Sequence, residues 1–356
     1  MNKILTKLMA TLALLLVLQT RGAAQDIHFT QFYMMPTLLN PSLTGHIAGS
    51  YRINAIYRNQ WASITSGGVY STPGASFDMN FRQKDSNNSF GGGISLANDR
   101  SGGGDLRTSI ITLSAAYHLA LGKEPKNFLS FGLQGGLLDK RLDASRLTFP
   151  DQIDPVTGEP IGPTQTKIEN SNINNFDLKA GATFSSYPSQ KFNYMLGIGF
   201  MHLLKPEETF LGDTDNTLPN RLVLHGQATV KLDQHFNLRP HVLYMTQSEA
   251  SELNLGLNFG YQTDEKLGLW VGAGYRNEGA VLFMGGFGYK GLSIGVAYDN
   301  DISDLNSRGA YEIALGYVGN ILKPIDPILP AIRLSLIHIS EPTRRTPISY
   351  AVFCLK

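Results

Sequence analysis

From Tyr51 onward the chain alternates apolar residues with small or polar ones, in runs of roughly ten separated by turn residues. A period of two is that of a β-strand, whose successive side chains point to opposite faces. Ala75, Phe77, Met79 and Phe81 share one face, and Ser76, Asp78, Asn80 and Arg82 the other. Ile111, Leu113, Ala115, Tyr117 and Leu119 alternate in the same way with Ile110, Thr112, Ser114, Ala116 and His118. Phe176, Leu178, Ala180, Ala182 and Phe184 alternate with Asp177, Lys179, Gly181 and Thr183. The pattern predicts fourteen strands, at 51–60, 74–82, 90–98, 107–119, 127–138, 175–185, 193–202, 221–232, 236–246, 253–262, 267–276, 280–289, 291–299 and 309–317.

The polar face carries Arg, Lys, Asp and Asn, which the core of a soluble sandwich would not accept unpaired. A closed barrel in lipid accepts them in its lumen, and a bilayer forbids open sheet edges. The even strand number fits, and aromatic residues near strand ends (Tyr57, Trp61, Phe81, Tyr117, Tyr261, Tyr275, Tyr298, Tyr317) fit interface girdles. The expected fold is therefore all-β, an antiparallel transmembrane β-barrel. Connections after even-numbered strands are short, whereas those after odd-numbered strands include 61–73, 139–174 and 203–220. Short turns of such barrels face the periplasm and long loops the outside. On that rule both termini are expected in the periplasm.

Ahead of the first strand runs an arm that the alternation does not explain, Phe29-Thr-Gln-Phe-Tyr-Met-Met-Pro-Thr-Leu-Leu-Asn-Pro-Ser-Leu-Thr-Gly45. It lacks helical periodicity, and Pro36 and Pro41 interrupt it. The reading is an extended periplasmic segment over residues 25–50 on a path under or into the barrel, with Phe29, Phe32 and Tyr33 buried against its wall and a turn at Asn40-Pro41; the blander alternative is that it only plugs the barrel's inner mouth.

The two ends of the chain read as something other than barrel. Lys3 and Lys7, the apolar run Leu8–Leu18 and the small residues Gly22-Ala-Ala24 read as a signal peptide over residues 1–24. Leu334-Ser-Leu-Ile-His-Ile-Ser-Glu-Pro-Thr-Arg344 and Ile348-Ser-Tyr-Ala-Val-Phe-Cys-Leu355 can be encoded by the two ends of a transposase-type sequencing adapter, and residues 334–356 are read as its translation. Residues 318–333 are then a Pro-rich periplasmic tail. Without leader and tail, 24 of the 30 basic and 28 of the 29 acidic residues remain, a net charge of −4. That is no footprint for nucleic acid. Cys354, the one cysteine, lies in the adapter stretch, so disulfides, thiol catalysis and Cys-ligated zinc are not expected.

Candidate chemistry is sparse. His28, His46, His118, His202, His225, His235 and His241 are scattered, with no metal-ligand spacing, and His225 and His241 are expected to line the lumen. Gly212-Asp-Thr-Asp-Asn216 lacks the spacing of a calcium loop. Glu207-Glu208, and Asp299 with Asp301, read as solvated loop charges. No nucleophile elbow, phosphate loop or dinucleotide fingerprint occurs before a helix. No catalytic, cofactor or metal residues are assigned, and the chain is read as a non-enzyme.

Asp26-Ile-His-Phe-Thr-Gln-Phe-Tyr33, Leu39-Asn-Pro-Ser-Leu-Thr-Gly45, Tyr57-Arg-Asn-Gln-Trp61 and the closing Gly309-Ala-Tyr-Glu-Ile-Ala-Leu-Gly-Tyr317 resemble the PorP/SprF family of the type IX secretion system of Bacteroidetes. The resemblance spans residues 26–333. It implies an outer-membrane barrel without enzymatic activity. Implied partners are the periplasmic ring and peptidoglycan-associated components of the secretion machinery, outer-membrane lipid, and a secreted or surface cargo with a C-terminal sorting domain, such as a gliding adhesin. Only signature positions carry over, with a structural or docking role: Phe29, Thr30, Gln31, Asn40, Pro41, Gly45, Arg58, Gln60 and Trp61. The competing reading from another class is a passive channel for a small solute, with Arg82, Lys179 and Arg221 lining it.

Overall fold

The computed structural model describes residues 26–60, 70–82, 86–102, 104–122, 126–159, 161–166, 171–210, 216–263, 267–277, 279–302 and 309–321. The expected signal peptide, most of the Pro-rich tail, the adapter stretch and Trp61 lie outside them.

All fourteen expected strands are present: β1 (Tyr51–Gln60), β2 (Tyr70–Arg82), β3 (Ser89–Ser101), β4 (Leu106–Leu121), β5 (Asn127–Arg141), β6 (Asn172–Ser186), β7 (Phe192–Met201), β8 (Arg221–Lys231), β9 (Phe236–Gln247), β10 (Ala250–Gln262), β11 (Leu267–Arg276), β12 (Ala280–Tyr289), β13 (Leu292–Asp301) and β14 (Ala310–Gly319). Each pairs antiparallel with its neighbours, and β1 pairs with β14 from Tyr51↔Gly319 to Gln60↔Ala310, so the sheet closes. Closure removes every edge, as a bilayer requires.

The two faces divide as the alternation predicts. Leu113 is 67% exposed to the outside of the barrel, while Thr112 and Ser114 face in and are buried. Exposed aromatic side chains form a belt near each end: Tyr57, Tyr275, Tyr298 and Tyr311 at one, Phe81, Phe90, Tyr261 and Tyr317 at the other. Such side chains suit the membrane–water boundary, with an apolar body and a polar tip. Connections after even strands cluster at the second end, called the turn end; the long connections 142–171 and 202–220 mark the loop end.

Of the two expected courses, under or into the barrel, the arm takes the second. Residues 26–50 do not lie beneath the barrel but fill its lumen from one end to the other. Asp26 donates its backbone N–H to Gln247 Oε1 at 3.3 Å at the loop end, and Ser50 donates to Gly319 O at 2.9 Å at the turn end. Ile321, the last described residue, follows β14 at the turn end, so the two ends of the described chain lie at opposite ends of the barrel. Loop lengths report only strand direction, which is why they could not locate this segment. Its composition decides its place: Phe29, Phe32, Tyr33, Met34, Met35, Leu39 and Leu43 are all buried. Each such side chain contributes roughly 1.5–3 kcal/mol on leaving water.

The arm is not extended either. It folds into three helical turns, Phe32–Met34, Pro36–Leu39 and Pro41–Leu43. Both prolines stand at the first helical position, where a missing N–H costs nothing and φ is already set. Pro36 starts a helical turn where the sequence reading has it break the segment, whereas the expected turn at Asn40-Pro41 is present.

Candidate functional site

The interface between this plug and the lumen wall is where the signature residues meet. At the loop end Thr30 sits at the centre of an ionic cluster. Its hydroxyl donates to Asp299 Oδ1 at 2.7 Å and accepts from Arg58 Nη1 at 2.9 Å and Arg276 Nη2 at 2.7 Å. One O–H donor and two lone pairs are thereby all used. Arg58 is also paired with Glu312 at 2.5 Å and Asp299 at 2.9 Å, and Arg276 with Asp299 at 3.0 Å. Glu312 receives the backbone N–H groups of Thr30 and Gln31 at 2.6 and 2.9 Å. Glu252 joins the cluster through Arg276 and His28, both at 3.3 Å. Burial pushes the His28 imidazole down to about 4, against the pull of Glu252.

Midway, Phe32 and Tyr33 pack edge-on to His241 with ring centroids 5.6 and 5.4 Å away, and Tyr33 faces Trp270 at 6.3 Å. Farther on, Asn40 clasps β6–β8. Its Nδ2 donates to Ile198 O and to His225 Nε2, each at 3.0 Å, while its Oδ1 accepts from Ser42 N at 3.0 Å. The last contact caps the turn that Pro41 begins. Toward the turn end Gly45 donates to Asp78 Oδ2 at 2.7 Å, Asn80 donates to Gly45 O at 2.6 Å, and His118 Nε2 donates to Thr44 O at 2.9 Å. Arg52 completes this patch, pairing with Asp78 at 2.7 Å and donating to Leu43 O at 3.1 Å.

The inward glycines of the wall have a specific use. A Cβ on Gly91 would collide with Thr44 O, one on Gly132 with the Pro41–Ser42 peptide, and one on Gly181 with Asn40 Oδ1. Glycine at these positions lets the backbone of the plug lie against the sheet.

The structure thus unites Phe29, Thr30, Gln31 and Arg58 around the loop-end cluster, and Asn40, Pro41 and Gly45 farther down. Gln60 stands apart at the loop end of β1, opposite Tyr70 and Ala310. His225 and His241 face the lumen as expected. Asp299 does not solvate a loop; it lies in β13, is buried, and binds two arginines and Thr30. Arg52, Asp78, Arg276 and Glu312 are not among the expected site residues, although the alternation places Asp78 on an inward face. Their signal was available, since each is a charge on an inward strand face, where a low-dielectric setting demands a partner. Of the expected channel-lining charges, Lys179 faces Asp177 at 3.7 Å and Arg221 holds Ile27 O at 3.3 Å. Gly212–Asp215 lie outside the described residues, whereas Glu208 pairs with Lys140.

A family model for the type IX secretion system membrane protein PorP/SprF matches residues 21–317. No curated protein matches the chain. Among solved structures, the chain is similar to the Ralstonia pickettii toluene transporter TbuX at 14% identity and a TM-score of 0.49, over 84% of this chain and 96% of that one. A Pseudomonas aeruginosa FadL homologue matches at 11% identity and a TM-score of 0.47, covering 78% and 92%. The Pseudomonas putida toluene transporter TodX matches at 9% identity and a TM-score of 0.44, covering 83% and 95%.

Proposed function

The chain belongs to the PorP/SprF family of type IX secretion system membrane proteins, and on that premise we propose that it works as a sealed, non-catalytic outer-membrane platform. It docks the periplasmic ring and peptidoglycan-associated components of the machinery through its turn end. Its long loops secrete or hold a partner cargo with a C-terminal sorting domain at the cell surface, as a gliding adhesin would require.

The observation that carries this reading is the plug. Residues 26–50 run the length of the lumen, with Thr30, Gln31, Thr37, Asn40, Ser42 and Thr44 fully buried. A barrel whose axis is filled by its own chain supports binding at its ends better than passage through its middle, so the solute-channel reading is the weaker one. The long connections 142–171 and 202–220 offer the larger surface for a partner. Parts of the first are pinned by side chains: Asp151 accepts from Thr164 Oγ1 at 2.8 Å and Gln165 N at 2.6 Å, and Asp154 accepts from Val156 N at 2.8 Å. Preorganised loops lose less entropy on binding.

The test is genetic. Deleting the gene is expected to abolish secretion or surface attachment of one partner protein, restored by the full chain and not by a chain lacking residues 144–166. Normal attachment in the deletion strain contradicts the proposal.

A further inference from the structure

A cavity of about 60 Å³ remains in the lumen toward the loop end, between the plug and the wall. Phe29, Phe32 and Met35 of the plug and Met201, Leu243 and Met245 of the wall form its apolar floor. Asp26, Lys179, His202 and Arg221 stand around it. Side chains of Asp26 and His28 are 22% and 17% exposed, so the mouth opens toward the long loops.

The hydrogen bonds of this rim are unequally shared. His202 takes both carboxylates: its Nε2 bonds Asp26 Oδ2 and its Nδ1 lies 3.0 Å from Asp177 Oδ2. The Nδ1 contact falls outside hydrogen-bond geometry, and the two carboxylates beside the ring favour its positive charge. Burial opposes that charge, but the two carboxylates outweigh it and raise the His202 pKa above the ordinary histidine range. Lys179 Nζ is 3.7 Å from Asp177 and Arg221 Nη1 is 3.8 Å from Asp26. Those distances are too long for hydrogen bonds. The other contacts of Arg221 are neutral, to Ile27 O and the Met245 sulfur. Lys179 and Arg221 thus lack a hydrogen-bonded carboxylate of their own beside an apolar chamber, with Glu252 in electrostatic reach of Arg221. Lys140, near Asp26, is matched by Glu208.

We propose that this cavity binds a carboxylate attached to a short branched apolar group, with Arg221 and Lys179 donating to the head and the methionine-rich floor receiving the tail. The volume limits the tail. At about 10–15 Å³ of such space per water-sized group, 60 Å³ admits about four to six of them, a short branched tail and not a long acyl chain. Two sources carry this chemistry: a free branched short-chain acid, and the last residue of a polypeptide ending in Leu, Ile or Val. Methionine floors adapt to varied apolar shapes, which suits either. The site stands on its own geometry and does not depend on the secretion reading.

The test uses the full chain in lipid nanodiscs and isothermal titration. The probes are 4-methylpentanoate, acetyl-Gly-Leu, and the uncharged amide of each. At least one acid is expected to bind saturably at one site, its amide about tenfold more weakly or worse, the loss that follows removal of a charge-assisted contact. Arg221→Gln is expected to weaken the acid by about the same factor. Val223→Trp fills the chamber with the charges left in place and is expected to abolish binding, and heat-modifiable gel mobility confirms that each variant is folded. Binding of the free acid alone identifies a small-molecule source, and binding of acetyl-Gly-Leu a chain terminus. The proposal is overturned if neither acid binds saturably, if the amides bind as well as the acids, or if folded Arg221→Gln binds unchanged.

Discussion

Arg58 on the first strand and Glu312 on the last are direct partners in the register that closes the barrel, and their side chains meet at 2.5 Å inside it. Glu312 also accepts the backbone N–H groups of Thr30 and Gln31, so one carboxylate joins the seam of the barrel to its plug. Removing one partner of a buried pair leaves the other charge uncompensated, at about 3–5 kcal/mol. Glu312→Ala is expected to lower thermal stability by that order and to shift the heat-modifiable gel transition downward. Arg58→Met with Glu312→Met is expected to recover part of the loss. Equal stability of Glu312→Ala and the unaltered chain contradicts this role.

Gly45 tests how closely the plug approaches the sheet. Its φ is +69°, and a Cβ would stand 2.5 Å from Gly91 Cα and 2.6 Å from Met79 O. Gly45→Ala therefore combines backbone strain with two collisions, and a loss of at least about 2 kcal/mol is expected. Gly158 shares the positive φ, at +74°, but has nothing within 4 Å of its added carbon. Gly158→Ala isolates the strain alone, about 1–2 kcal/mol. Similar melting temperatures for the two variants argue against a packed plug.

Histidines of the plug and its rim give it a pH dependence of definite sign. Burial holds His28 near pH 4, below the usual 6.5, so the unfolded chain binds more protons than the folded one between those values. Stability from this group is complete above about pH 6.5 and falls as pH drops toward 4. His202 is shifted the other way, upward, so its contribution is complete below its unfolded value and disappears as pH rises through its folded one. Melting curves from pH 8 to pH 4 should show a loss below about 6.5 that is smaller in His28→Asn, whereas His202→Asn removes a gain that the unaltered chain shows as pH falls toward 6.5 from above. An unchanged slope in His28→Asn rejects the assignment.

A filled lumen has an electrical consequence. The full chain reconstituted in planar bilayers is expected to show no steady ionic conductance. Persistent ohmic steps from the unaltered protein would favour the channel reading.

The barrel was legible because a two-sided wall imposes alternation on every strand: lipid takes Leu113 and Phe131, the lumen takes Ser114 and Ser130. The burial of Phe29, Phe32 and Tyr33 was legible for the same reason, from apolar residues too many to leave in water. The path of the arm was not. Helical turns of three or four residues have no period to read, and Pro36 and Pro41 look alike whether they start a turn or stop one. Asp299 was misjudged because its partners are remote in sequence; Thr30 is 269 residues away. Such a pairing is set by the closed barrel and has no local trace.

The account rests on the N-terminal segment lying inside the lumen, and a disulfide tests that most directly. Ser42 Oγ in the plug and Thr183 Oγ1 on β6 are 2.5 Å apart. The one cysteine of the chain, Cys354, is replaced by serine for this experiment. Ser42→Cys with Thr183→Cys in outer membranes is then predicted to cross-link fully under mild oxidation. The result would be a single non-reduced band of altered mobility, protected from a bulky maleimide. If both thiols stay free and react with that reagent in the folded barrel, the segment is not where this account puts it.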